Sequence, residues 1–183
     1  MTAVSGIFTG RQTGHTWLRV DGRGSHQNTC ELKSFVLQQI ESHGGQRVIV
    51  DLSFCTGMDS TFMGMLRCLS SRLETAGGKL HVIRAGSRNL ELLHGLGLDH
   101  LFTVDEHEEH LPTGTTDPEM LPLKKVDFCK QDKTSVCLEA HEALVAADER
   151  NAPRFRDVIE LIRSSEVEPA GVHESSSKSS AGW

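Results

Sequence analysis

The chain predicts an α/β fold: a mixed, mainly parallel sheet of five strands with crossover helices, followed by a C-terminal helical extension. Three observations carry that expectation. Apolar runs of strand length alternate with helical stripes over the first 105 of its 183 residues, the order expected of a sheet covered by crossover helices. Two of the runs, R-V-I-V-D-L and K-L-H-V-I, are apolar without strict alternation, as in strands covered on both faces. Gly-Gly pairs follow the first two helical stripes and stop them.

In order, residues 4–8 form a short, weak strand and residues 15–20 (H-T-W-L-R-V) a second, clearer one. Leu32, Phe35, Val36 and Ile40 line one face of a helix that ends at Gly44 and Gly45. Residues 47–52 give the third strand. A helix then opens near Asp59 and Ser60, with Phe62, Leu66, Leu69 and Leu73 on one face, and Gly77-Gly78 closes it. Residues 79–83 are the fourth strand. Leu90, Leu93 and Leu96 mark a short helix, and residues 101–104 a last short strand.

Residues 1–105 are thus expected to be one domain and residues 106–133, polar with Pro112, Pro118 and Pro122, a linker. Helical spacing returns over 134–164, at Val136, Ala140, Leu144 and Ala147, then at Phe155, Val158, Ile159 and Ile162. Pro153 fits the first turn of a second helix capped by Asn151, or else kinks one long helix. Such an element cannot bury its apolar face alone, so it docks on the domain, on a second copy or on a partner. Residues 165–183 have the composition of a disordered tail.

Composition narrows the function. A net charge of −6, no Tyr and 5% aromatics argue against nucleic-acid binding, which favours basic stripes and stacking platforms. No apolar run approaches the roughly 18 residues that span a bilayer, and the first ten residues lack a signal-peptide layout, so the expected location is cytoplasmic. Cys30, Cys55, Cys68, Cys129 and Cys137 are odd in number and never spaced C-x-x-C. They read as buried or half-buried free thiols rather than disulfides or a zinc site.

Enzyme signatures are missing as well. There is no phosphate-binding glycine loop, and His141-Glu142 lacks the second His of a zinc-protease helix. The run from Glu106 to His110 brings two imidazoles close but offers no third ligand. Asp51 ends an apolar strand, where α/β sites cluster, and it equally serves to bond nearby backbone amides. The chain reads as non-enzymatic, with no cofactor and no metal.

Residues 47–102 rise above this background. An apolar strand runs into M-D-S-T-F-M-G at a helix start, then G-G-K-L-H-V-I, then L-L-H-G-L-G-L-D-H-L-F. In that order the segments resemble the STAS domain of bacterial anti-sigma factor antagonists. The family's motif is D-S-[ST]-G; here Thr61 fits and Phe62 replaces the glycine. The resemblance implies that Ser60 is phosphorylated by a serine protein kinase that is also the anti-sigma factor, with Thr61 as the alternative acceptor. It implies that Asp59, Ser60 and Thr61, with Asp51 nearby, form the partner-binding surface, and that a protein phosphatase resets the switch.

The motif's chemistry is sound on its own terms. Asp59 is a good N-cap, and a hydroxyl in the first turn sits where unpaired amides and the helix dipole favour an anion. Phosphate there adds about −1.5 to −2 charges, which the helix end tolerates and a docked partner does not. Phe62, by its spacing to Leu66, Leu69 and Leu73, is expected in the core. The rival reading is a constitutive, unphosphorylated STAS interaction or transport-accessory module, with the C-terminal helices in a permanent packing or homodimer role.

Overall fold

The computed structural model describes residues 6–44, 46–105 and 117–167. The Glu106 to His110 run and residues 168–183 of the expected tail lie outside the described residues, while residues 165–167, also expected in the tail, continue the last helix. The five expected strands are present as β1 (Gly6–Gln12), β2 (His15–Gly24), β3 (Arg47–Asp51), β5 (Lys79–Ile83) and β6 (Thr103–Asp105). Two short strands join them: β4 (Cys55–Met58) and β7 (Leu121–Pro122). The helices are α1 (Thr29–His43), α2 (Ser60–Thr75), α3 (Ser87–His94), α4 (Lys130–Ala147) and α5 (Ala152–Val167).

The sheet order is β6-β5-β3-β2-β1-β7. β2, β3, β5 and β6 are parallel, β1 is antiparallel to β2, and β7 is antiparallel to β1. The first hairpin is longer than the sequence predicts because it closes on Thr13 and Gly14, both at positive φ (50° and 77°). That handedness matches the strand twist. β4 escaped the sequence reading because four residues around a glycine carry no period; it pairs with the far end of β2. β7 anchors the middle of the segment expected as a linker.

Alternation along the strands sorts the two faces. Leu18, Val20, Val48, Val50, Leu80 and Val82 point toward the helices, where they meet Leu32, Val36, Phe62, Leu66 and Leu69 in one core. On the opposite face Trp17, Ile49 and Ile83 pack with Met120 from the chain before β7. Phe62 is fully buried, as its spacing predicts. A Cβ on Gly24 would lie 2.7 Å from the Phe62 ring, so this glycine is what makes room for the Phe of the motif.

α2 is buried on two sides. Its expected stripe meets the sheet, while Thr61, Gly64 and Cys68, also buried, lie on the side that meets α4. The two helices touch backbone to backbone: a Cβ on Gly64 would sit 2.2 Å from the Ala140 carbonyl oxygen. Val136, Ala140 and Leu144 of α4 are buried in the same core. Glu139 adds a polar clasp, pairing with Lys33 of α1 and, at 2.7 Å, with Arg72 of α2. Of the three docking arrangements open to the extension, α4 adopts the first and lies on the α/β domain.

α4 and α5 are separate helices joined by a 3-10 turn, Glu149–Asn151, with Pro153 in the first turn of α5 as expected. Asp148 caps the 3-10 turn, accepting from the Arg150 amide at 2.9 Å. Asn151 is 2% exposed and points inward. Its amide donates to the Leu96 carbonyl at 3.0 Å and the Leu144 carbonyl at 2.8 Å, which pins the corner to the domain.

Candidate partner-docking site

β4 delivers the chain to the start of α2 through Asp59, which is extended and caps the helix as predicted. Its Oδ1 accepts from the Phe62 amide at 2.9 Å, and its Oδ2 accepts from the His26 amide at 2.9 Å. One carboxylate therefore satisfies an unpaired amide of α2 and ties that helix end to the turn before α1.

Ser60, the first residue of α2, is half-buried. Its Oγ lies 3.1 Å from Nε2 of His141 on α4. The other ring nitrogen, Nδ1, is 2.8 Å from the Cys137 carbonyl, so the neutral ring donates there and accepts the Ser60 hydroxyl at Nε2. Thr61 is 6% exposed, with its hydroxyl 3.6 Å from the Cys137 sulfur. Asp59, Ser60 and Thr61 thus stand together, and α4 covers them.

Burial opposes charge on His141, but hydrogen bonds to Cys137, with the charges of Cys137 and Asp59, outweigh it and hold its pKa above the ordinary imidazole value. The side-chain hydrogen bond between His141 Nδ1 and the Cys137 sulfur, 3.6 Å apart, lowers the Cys137 thiol despite its burial. The His141 ring, itself buried, packs edge-on to Phe155 with centroids 5.2 Å apart. A serine and an imidazole here are in contact, yet the third member is a backbone carbonyl and the ring is walled in by α5.

Asp51 stands apart from the other three. It ends β3 on the sheet face shared with Ile49, away from α2, and is 0% exposed. Its Oδ1 accepts from the Ser53 amide at 3.0 Å, the backbone role that the sequence also allowed. Its Oδ2 accepts from Arg19 at 3.0 Å and Arg84 at 3.2 Å. The same two arginines hold Asp117, Arg84 with two bonds of 2.9 Å and Arg19 with one of 3.0 Å. The hydrogen bonds from Arg84 lead in holding the Asp117 carboxyl below its usual value. Asp51 and the trio of Asp59, Ser60 and Thr61 therefore lie on different faces of the sheet, and it is residues of α4 that contact Ser60 and Thr61.

His141, Cys137 and Ala140 were not singled out from the sequence as site residues. A signal for them existed: Thr61, Gly64 and Cys68 recur at i, i+3 and i+7, and a glycine inside a helix asks for a packing reason. The five cysteines are free. Cys129 differs from expectation in being exposed; its sulfur caps α4 by accepting from the Asp132 amide at 3.4 Å. Among the described residues no group of three His, Cys, Asp or Glu side chains could hold a metal. Among them, too, no helix is long and apolar enough to cross a membrane.

The model of the STAS domain matches residues 9–111, which take in all of β2 to β6 and most of β1. No curated protein matches the chain in sequence. A crystal structure of a Thermotoga maritima protein described as an anti-sigma factor antagonist aligns at a TM-score of 0.50 and 15% identity, covering 54% of this chain and 84% of that one. The phosphorylated Bacillus cell fate determinant SpoIIAA aligns at 0.46 and 16% identity, over 56% and 94% of the two chains. The murine Slc26a9 anion transporter aligns at 0.44 and 14%, over 56% of this chain and 21% of that one. With the matched span covering more than half of the sequence, the chain belongs to the STAS domain family.

Proposed function

We propose that this STAS domain is a regulatory protein-binding module, an anti-sigma factor antagonist or related partner-switching component, controlled by phosphorylation of Ser60. The observation that carries the reading is the geometry of the α2 start: a half-buried hydroxyl in the first helical turn, beside an Asp59 already committed to capping and beneath α4 rather than in the sheet core. Unphosphorylated, this surface binds a serine kinase that is also the anti-sigma factor. Phosphate on Ser60 releases the partner by charge and bulk, and a phosphatase restores binding. ATP and magnesium belong to the kinase; this chain acts as substrate and ligand, not as catalyst. Thr61 is the weaker acceptor because it lies deeper, under Cys137. The test compares Ser60→Asp with Ser60→Ala for binding to the cognate kinase. The aspartate variant is expected to bind at least tenfold more weakly; equal affinities overturn the switch.

A constitutive interaction module is the second reading, and one observation favours it: α4 rests on Ser60 and is held by Gly64, Glu139 and Asn151. Under that reading no phosphate appears on Ser60 in any growth condition.

A further inference from the structure

The face of α2 that begins at Ser60 has the relief of a helix-docking surface. Thr61, Gly64 and Cys68 form a shallow small-residue stripe that lets a second helix approach to backbone contact, as Ala140 does. At one end the Ser60 hydroxyl asks for a polar group, which His141 supplies at 3.1 Å. At the other, Lys33 and Arg72 ask for a carboxylate, which Glu139 supplies. α4 meets each of these requirements from within the chain. Toward α1 and α2 its polar contacts are the two ion pairs of Glu139, the Ser60–His141 hydrogen bond and two 3.6 Å sulfur contacts, Cys137 with Thr61 and Cys68 with the Glu139 carbonyl, none of them fully buried. The buried hydrogen bond to α4 comes from Asn151 at its C-terminal end.

We propose that α4 is an exchangeable occupant of this surface, and that the partner is an amphipathic helix with the same features: a small residue at the crossing, a polar side chain toward Ser60 and a carboxylate toward Lys33 and Arg72. This deepens the partner-binding reading of the same site and rests on it. The closed form excludes the partner, because Ser60 Oγ and Gly64 are both in contact with α4. It is equally incompatible with a modified Ser60. A phosphoryl group does not fit between two atoms 3.1 Å apart while the Gly64–Ala140 contact holds the backbones in place. Partner docking and phosphate acceptance therefore share one preceding step, the lifting of α4.

The experiment uses the full chain and a fluorescent synthetic peptide with the sequence of residues 129–148 as the partner-like probe. Ala140→Leu adds bulk at a fully buried position of α4 whose backbone abuts Gly64, lifting α4 while leaving every residue of α2 unchanged. The peptide is expected to bind Ala140→Leu at least tenfold more tightly than the wild type, whose surface is already filled. Adding Gly64→Val to that variant is expected to abolish the gain. Equal binding by wild type and Ala140→Leu overturns the proposal, as does a gain that survives Gly64→Val. Should Ala140→Leu fail to fold, hydrogen exchange on the wild type decides. Amides of α4 that open well before those of β3 and β5 support an exchangeable helix; opening only together with them overturns it. Neither readout involves phosphate, so failure here is separate from failure of the Ser60 switch.

Discussion

At the scale of single residues, Asn151 and His141 fasten the C-terminal helices and Asp59 fastens the start of α2. Asn151 is the deepest, a buried side chain donating to two carbonyls from different parts of the fold. Asn151→Ala leaves the buried Leu96 carbonyl without this partner, and urea unfolding is expected to show a loss of about 1–3 kcal/mol. Asp59→Ala removes a helix cap and the tie to the His26 amide at once, with an expected cost of about 1–2 kcal/mol. His141 sets a pH dependence. A pKa raised on folding contributes stability that is complete below the unfolded value near 6.5 and is lost as pH rises through the folded value. The stability of wild type relative to His141→Gln is therefore expected to be larger at pH 5.5 than at pH 8.5. A constant difference would assign His141 to packing alone.

At the scale of elements, how far the sequence could be read followed how each face is buried. Strands 47–52 and 79–83 were legible because both of their faces are covered, so they carry unbroken apolar runs. The sheet side of α2 was legible from Phe62, Leu66, Leu69 and Leu73. The α4 side was not, because a helix–helix contact built on Gly64, Thr61 and Cys68 relies on the absence of bulk, and small residues leave no hydrophobic stripe. The Asp59 cap could be read from local sequence, whereas the Ser60–His141 contact spans 81 positions and has no local signature. Asp51 shows the same limit: its strand end was clear, but the arginines that bury it come from β2 and from just beyond β5. Close approach has a direct test at this scale. Gly24→Val drives a side chain into the buried Phe62 ring and is expected to cost about 1–3 kcal/mol, read from thermal unfolding.

At the scale of the whole molecule, the chain is a STAS domain with its own helix laid over the surface where the family resemblance places the switch. Removing residues 134–183 deletes most of α4 and all of α5. If α4 is an exchangeable occupant, the remaining domain keeps its sheet, with a melting temperature lower by several degrees from the newly exposed α2 stripe. Loss of the sheet's circular-dichroism signal would instead show that the sheet cannot hold without the helices and favour the constitutive module. The central claim, however, is that Ser60 is a phosphorylation switch. Its most direct test is phosphopeptide mass spectrometry on the protein isolated from its own host across growth conditions, following the tryptic peptide of residues 48–67. The account predicts partial phosphate on Ser60 that changes with condition. A peptide that stays unmodified in every condition contradicts it.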